Sequence, residues 1–237
     1  MISNILLFDI ETTHLKANFG TVLCFGSKWL DAPTVTVDSI TDRRGWRKDF
    51  TDDSHLVKAA AEKLTQADLW VSYYGKMFDA PYLQSKLLEY GLPALPNVPH
   101  VDIYFTAKQH LQSTSRRLDT VGKYLNCKTK KTPVDGRIWK QAMAGSKDAI
   151  EYVVKHCYND VLLLEEVYLK LRGLVRTHPR VGAALACRHC GAFRLTAQKN
   201  RLTVKRGPTK GVKCTACGAW DTFPLKEWEA AKGVQHG

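Results

Sequence analysis

Two carboxylates set one residue apart raise the first chemical question in this sequence. In "LLFDIETT", Leu6 to Thr13, an apolar β-branched run ends in Asp9 and Glu11. Side chains at i and i+2 of a strand share a face, so the two acids project side by side and repel unless a positive charge lies between them. Two further acids stand where they can converge on the same spot. "VSYYGKMFDAPYL" places Asp79 behind a strand and at the start of a helix, where a carboxylate is favoured. "KHCYNDVLLLEEVY" places Asp160 in a long amphipathic helix, with His156 one turn earlier on the same face. Four acids brought together from separate segments require divalent metal to offset their charge. A histidine there, with an ordinary pKa of about 6.5, suits a general base near neutrality.

A second constellation lies near the C-terminus. "CRHC", Cys187 to Cys190, and "CTAC", Cys214 to Cys217, each end in a cysteine followed by glycine. Cys-x-x-Cys lets two sulfurs reach one ion, and the glycine permits the tight turn of a metal knuckle, so the pair reads as a four-cysteine zinc ribbon holding one structural Zn2+. His189 lies inside the first knuckle but is not needed, because four thiolates fill a closed tetrahedral site. A unit this small buries too little core to fold alone, and metal binding supplies the missing stabilisation. Cys24, Cys127 and Cys157 read as ordinary reduced residues.

The elements that must position these groups can be read from periodicity. Ile5 to Ile10 reads as a buried strand, and Thr21 to Trp29 and Thr34 to Ile40, joined by the turn-like Asp31-Ala32-Pro33, complete an antiparallel meander. His55 to Gln66 has helical spacing, Leu69 to Tyr73 is a strand, and Pro81 to Tyr90 is a helix stopped at Gly91 with Pro93 beyond. His100 to Thr106 reads as β or extended. Ser115 to Tyr124 reads as a capped helix with Arg116 and Arg117 in its first turn. "CKTKKTPVDGRIWKQ", residues 127 to 141, is a basic loop leading into a short amphipathic piece. Lys147 to about Val175 is a long helix with an apolar stripe, ended by His178-Pro179. The resulting division is 1–178 for the acid-bearing domain, 184–228 for the ribbon, with its second unit beginning near Ala184, and 229–237 for a tail.

Composition narrows the function classes. The 237 residues are 44% hydrophobic and 24% charged, as in globular proteins, and the longest apolar runs fall far short of a membrane span. Met1-Ile2-Ser3-Asn4 lacks the basic and long apolar regions of a secretory signal, so an intracellular, cytoplasmic protein is expected, with metal ligation rather than disulfides as the role of the paired cysteines. The formal charge of +12 is lopsided. Residues 170–237 hold 14 Lys/Arg against 3 Asp/Glu, or +11, which leaves +1 for the rest. A four-thiolate zinc of formal charge minus two balances part of that excess, and the remainder points to a polyanionic partner.

"FDIET", "FDAPYL" and "HCYND", with "LDTVGKYL" between the second and third, resemble the three exonuclease motifs of the DEDD superfamily of 3′-5′ exonucleases. They are most similar to the proofreading domains of family B DNA polymerases and their stand-alone relatives, over roughly residues 5 to 172. The resemblance implies an α/β, ribonuclease H-like mixed sheet flanked by helices, to which the cysteine pairs add a small zinc-ribbon domain. It implies a centre of two Mg2+ or Mn2+ ions in which Asp9, Glu11 and Asp160 are ligands, Asp9 bridging, and Asp79 acts through a metal-bound water. The implied activity releases nucleoside monophosphates from the 3′ end of nucleic acid, with single-stranded DNA the first choice and RNA open. A polymerase or another replication or repair protein is a further implied partner. Two positions depart from the pattern: Tyr74 stands where relatives carry an asparagine that places the terminal nucleotide, and His156 where the polymerase-like branch has tyrosine. Thr12, Tyr74, Phe78, Arg116, Arg117, Lys205 and Arg206 are the expected nucleic-acid contacts, and Lys128, Lys130, Lys131 and Trp139 are further candidates for the channel. A nuclease-fold adaptor without activity and a structure-selective endonuclease remain alternatives.

Overall fold

The computed structural model describes residues 4–30, 32–181, 185–203 and 207–234. Asp31, Ala184, Lys205 and Arg206, named above, lie outside the described residues. The chain divides into two compact units, one of Asn4–Tyr168 and one from Leu169 onward.

The first unit is built on a five-stranded sheet. Strands β1 (Ile5–Thr12), β2 (Val22–Trp29) and β3 (Thr36–Ser39) form the expected antiparallel meander. Strands β4 (Leu69–Ser72) and β5 (His100–Asp102) extend it in parallel on the other side of β1, giving the order β3-β2-β1-β4-β5. The strand carrying Asp9 and Glu11 is therefore central: β2 pairs with it through both acids, while β4 pairs with Ile5–Leu7. Its alternation sends Leu6, Phe8 and Ile10 to one face and Leu7, Asp9 and Glu11 to the other. Leu6, Phe8 and Phe25 join Leu56 and Leu64 of α1 (Ser54–Thr65) and Leu83 of α2 (Asp79–Glu89) in one buried core.

Two segments differ from the periodicity reading. His100–Thr106 is not extended throughout: β5 ends at Asp102, and α3 (Ile103–His110) starts at once. The β-branched and aromatic composition of "VDIYFT" masks an N-cap, because the Asp102 side chain accepts from the Tyr104 backbone N–H at 3.0 Å. The helix expected from Ser115 begins later, as α4 (Leu118–Tyr124). Ser115 Oγ accepts from the Arg117 N–H at 3.3 Å in a local turn, so Arg116 and Arg117 lie on the approach to the helix rather than in its first turn. The basic loop then leads into α5 (Gly136–Met143), capped by Asp135, and the long helix α6 (Lys147–Leu171) follows. Among the described residues no helix is long and apolar enough to cross a membrane.

Helix α6 can approach the sheet because of one glycine. Gly26 pairs with Asp9 across the β1–β2 ladder, and a Cβ built on it would stand 2.6 Å from Cys157 Sγ and 3.0 Å from Val161 Cγ2. Both neighbours are fully buried, and the Cys157 thiol donates to the Asp9 carbonyl oxygen at 3.7 Å. The spacing that seats His156 and Asp160 opposite β1 thus depends on an absent side chain.

The second unit has its own three-stranded antiparallel sheet, β6 (Leu195–Thr203), β7 (Gly207–Cys214) and β8 (Trp220–Pro224), in that order. Helix α7 (Leu225–Val234) follows and crosses the boundary at 228 drawn between ribbon and tail. Gly26→Ala overpacks the α6–sheet contact and is expected to cost about 1–3 kcal/mol in urea unfolding of the full chain, with a loss of any activity that needs His156 and Asp160 in register.

Candidate active site and candidate metal centre

The sheet and α6 bring the anticipated residues to one place. Glu11 Oε1 lies 3.4 Å from His156 Nε2, and Asp160 Oδ2 lies 3.7 Å from the same nitrogen, making a three-residue cluster with metal-ligand spacing. Asp79 opens α2, and its Oδ1 accepts from the Ile10 backbone N–H at 2.9 Å, the amide between the two acids of β1. His156 and the carboxylates of Asp79 and Asp160 are each at least nine-tenths buried.

Electrostatics follow from that crowding. Burial pushes the Asp9 carboxyl well above its ordinary range, and the neighbouring Asp79 and Asp160 push it further. Glu11 is raised in the same way, by burial and then by Asp9 and Asp160. Asp79 is raised by burial to about 7, although its hydrogen bond from Ile10 favours the charged form. Burial lowers the pKa of His156, partly opposed by Asp160. A cation already sits at one edge: the Lys131 ammonium pairs with Asp160 Oδ2. Burial opposes the charge on Lys131, but Asp160, Asp9 and Glu11 together outweigh it and leave that pKa raised. The donor set of carboxylates with one imidazole fits divalent ions, and the raised carboxyl pKa values mark a site whose negative charge lacks full compensation.

Lys131 reaches Asp160 because its loop is pinned to α6. Glu166 accepts from the backbone N–H groups of Lys128 and Thr129 at 2.6 and 2.9 Å. Tyr152 OH donates to the Pro133 carbonyl oxygen at 2.8 Å, Asn159 Nδ2 donates to Thr132 Oγ1, and His156 Nδ1 faces the Thr132 carbonyl oxygen. The basic composition of the loop signalled a channel, but its fixed seat on α6 depends on contacts 19 to 38 residues apart.

A cleft of about 940 Å3 opens at Asp9, His156 and Asp160. Its walls include Arg116, Arg117, Lys123 and Lys131, with Tyr73, Tyr74, Tyr104 and Trp139 among the aromatics. Tyr74 is held at φ 70°, a left-handed conformation uncommon for a bulky residue. Asp102 sustains it, accepting from the N–H groups of Tyr74 at 2.8 Å and Lys76 at 3.0 Å. The Tyr74 and Tyr104 rings meet nearly edge to face with centroids 4.9 Å apart. Asp102 and Tyr104 were not anticipated as site residues; the Asp-x-Tyr cap is the sequence signal that could have drawn attention to them. Of the other expected contacts, Phe78 packs on the core with its ring 5.5 Å from Tyr82, and Thr12 Oγ1 donates to the His14 carbonyl oxygen at 3.0 Å. Neither is among the residues lining the cleft.

In the second unit the four cysteine sulfurs cluster, with Cys187 Sγ to Cys217 Sγ 3.6 Å and Cys190 Sγ to Cys214 Sγ 3.7 Å. Tetrahedral thiolates about 2.3 Å from zinc stand about 3.8 Å apart, whereas a disulfide needs about 2.05 Å. The knuckles repeat one geometry. Gly191 at φ 71° and Gly218 at φ 74° follow the second cysteines, and their N–H groups donate to the Cys187 and Cys214 carbonyl oxygens at 2.9 and 3.0 Å. His189 Nε2 is engaged with the Val175 carbonyl oxygen at 3.0 Å.

A family model described as RNase_H superfamily matches residues 6–172. Among solved structures, the family B DNA polymerase from the hyperthermophilic archaeon Pyrobaculum calidifontis matches with a TM-score of 0.52 at 17% identity. That match covers 73% of this chain and 26% of the polymerase chain, so the chain spans about a quarter of the polymerase's length. At that identity the likeness is one of fold, and it fits the expected mixed sheet flanked by helices. Comparison with curated proteins returned no match.

Two outcomes are expected. Asp79 binds its proton more tightly folded than unfolded, so ion-free protein should lose stability as pH rises from about 4 to about 7. Asp79→Asn should flatten that slope in thermal melts across the range, and added Mn2+ should raise the wild-type melting temperature more at pH 8 than at pH 5. Elemental analysis of purified full-length chain should find about one zinc, and Cys214→Ser should lose it together with protection of the ribbon against proteolysis.

Proposed function

This chain belongs to the RNase_H superfamily, and on that premise we propose that it is a two-metal-ion 3′-5′ exonuclease that releases nucleoside monophosphates from nucleic acid, with single-stranded DNA as the preferred substrate. One observation carries the reading: half-buried Asp9 and Glu11 of β1 gather with buried Asp79 of α2 and Asp160 of α6, where a cleft walled by tyrosines and cations opens at Asp9 and Asp160. Asp9, Glu11 and Asp160, with Asp79 through water, would hold Mg2+ or Mn2+. Bound there, such ions polarise a phosphoryl group and supply a water acidic enough to attack at neutral pH.

The chain's own side chains support the substrate class. Arg116, Arg117 and Lys131 offer charge to phosphates, which positions a strand without reading its sequence. Tyr74 is 45% exposed, so its face can stack on an unpaired base. A duplex end offers no such base without fraying, which favours single strands.

The ribbon is proposed as a second grip on the strand. Its Trp220 is 57% exposed, and the Lys213 ammonium lies 5.6 Å from the ring centroid, pairing a stacking surface with a phosphate-seeking charge. Contacts of this kind depend on salt and tolerate any sequence.

The test is incubation of free-ended and 3′-blocked single-stranded DNA and RNA with Mg2+ or Mn2+. Mononucleotides should appear from free-ended DNA alone, and Asp9→Asn should slow their release about a hundredfold or more, since an ion's charge stabilisation is worth several kcal/mol. Cleavage of blocked substrate would replace the exonuclease by an endonuclease, preference for RNA would make it an exoribonuclease, and binding without hydrolysis would make the chain an adaptor.

A further inference from the structure

We infer that His156 is itself a ligand of the catalytic divalent ion, through Nε2 beside Glu11 and Asp160, and that this nitrogen makes the centre favour Mn2+ over Mg2+. The inference rests on the nuclease reading above but differs from the general-base role that the sequence alone assigns to this histidine.

The argument starts from the far side of the ring. His156 Nδ1 faces the Thr132 carbonyl oxygen, which can only accept, so the ring hydrogen belongs on Nδ1. In a neutral imidazole that leaves a lone pair on Nε2. A backbone carbonyl behind the outer nitrogen is the usual partner of a metal-bound histidine, fixing tautomer and orientation together. The Thr132 carbonyl is itself fixed, because Asn159 Nδ2 donates to Thr132 Oγ1 and Tyr152 OH donates to the next carbonyl oxygen, that of Pro133.

On the near side, Nε2 stands 3.4 Å from Glu11 Oε1 and 3.7 Å from Asp160 Oδ2. Only a shared proton or a cation can relieve a lone pair and two carboxylate oxygens that face one another. Glu11, His156 and Asp160 each offer one donor atom, all within 4.8 Å of one another. Protonating Nε2 would supply the hydrogen, but burial disfavours a charged ring, and Lys131 already pairs with Asp160 Oδ2. Asp160 Oδ1 is a separate observation: it is buried and has no hydrogen-bond partner among the described residues, an acceptor still to be satisfied. Lys131 therefore engages one Asp160 oxygen and leaves Oδ1 for the ion.

The ligand chemistry sets the preference. Mg2+ selects all-oxygen surroundings and keeps much of its water, whereas imidazole suits the transition metals, in which series Mn2+ is the ion that also accepts carboxylates and water readily. Ligation and base catalysis need the same Nε2 lone pair, so the two roles exclude each other at any instant.

Pulsed electron paramagnetic resonance of Mn2+ bound to the zinc-replete full chain separates them. Wild type should show directly coordinated 14N, absent in His156→Asn, and calorimetric Mn2+ affinity should fall about tenfold or more, the scale on which even partners of ligands act. Wild-type preference for Mn2+ over Mg2+ should collapse in the variant while Mg2+ affinity changes little, and circular dichroism should show the variant folded. A wild-type spectrum without coordinated 14N, with Mn2+ affinity unchanged in His156→Asn, would overturn the inference and, where turnover alone is lost, return His156 to the base role with the nuclease reading intact. Coordinated 14N in a protein that hydrolyses no nucleic acid would uphold the ligand and remove the nuclease reading.

Discussion

Repulsion among buried carboxylates is the constraint around which the first unit is arranged. A protein does not gather Asp9, Glu11, Asp79 and Asp160 for stability, because each loses hydration and faces its own sign of charge. The surroundings resist that cost at every point. β1 is central and paired with β2 through Asp9 and Glu11, so its acids cannot splay by bending the strand. The Ile10 N–H, between those acids in sequence, reaches across to Asp79. Gly26 admits α6 close enough that Asp160 and His156 complete the group. Each feature acts against relaxation, which is how a fold maintains a site whose energetic return comes from an ion and a substrate.

The same logic explains the loop of residues 127–135. Its lysines would repel one another along a free segment, yet two backbone N–H groups are anchored on Glu166 and Lys131 is directed to Asp160. A cation delivered by a flexible loop would cost side-chain and backbone entropy at every approach. Pinned to the helix that carries Asp160, it shares that helix's position. The loop also delivers the Thr132 carbonyl to His156, so the outer nitrogen of the ring is fixed by residues chosen for the cleft's electrostatics.

What could be read from sequence divides along a physical line. The alternation that puts Asp9 and Glu11 on one face, the helical spacing of His156 and Asp160, and the Cys-x-x-Cys-Gly knuckles are local geometry, and local geometry is periodic. The β1–β2–β3 meander was legible for the same reason. The start of α3 was not: "VDIYFT" has strand composition, and only the side-chain oxygen of Asp102, capping Tyr104, decides for a helix. Arg116 and Arg117 were placed in a helix because the Ser115 turn that precedes α4 mimics a cap. Phe78, beside the second-motif acid, turns to the core, because a helix starting at Asp79 sends adjacent side chains in different directions. Contacts across long stretches of chain, such as Lys131 with Asp160 or Tyr74 with Tyr104, leave no periodic mark.

Two metal environments on one chain pose a selection problem, since zinc outcompetes manganese at most mixed nitrogen and oxygen sites. Ligand type separates them here. The ribbon offers four soft thiolates already spaced for a tetrahedral ion, with its one histidine, His189, turned to the Val175 carbonyl oxygen instead of the cluster. The cleft offers carboxylates with a single imidazole, and its ammonium group engages only one of the two Asp160 oxygens. A closed thiolate site saturates zinc and presents it no open coordination position, whereas an oxygen-rich cleft facing solvent suits an ion that exchanges ligands with a phosphate. A four-thiolate zinc would be anionic, and the strongly basic C-terminal segment around the cysteines would offset it.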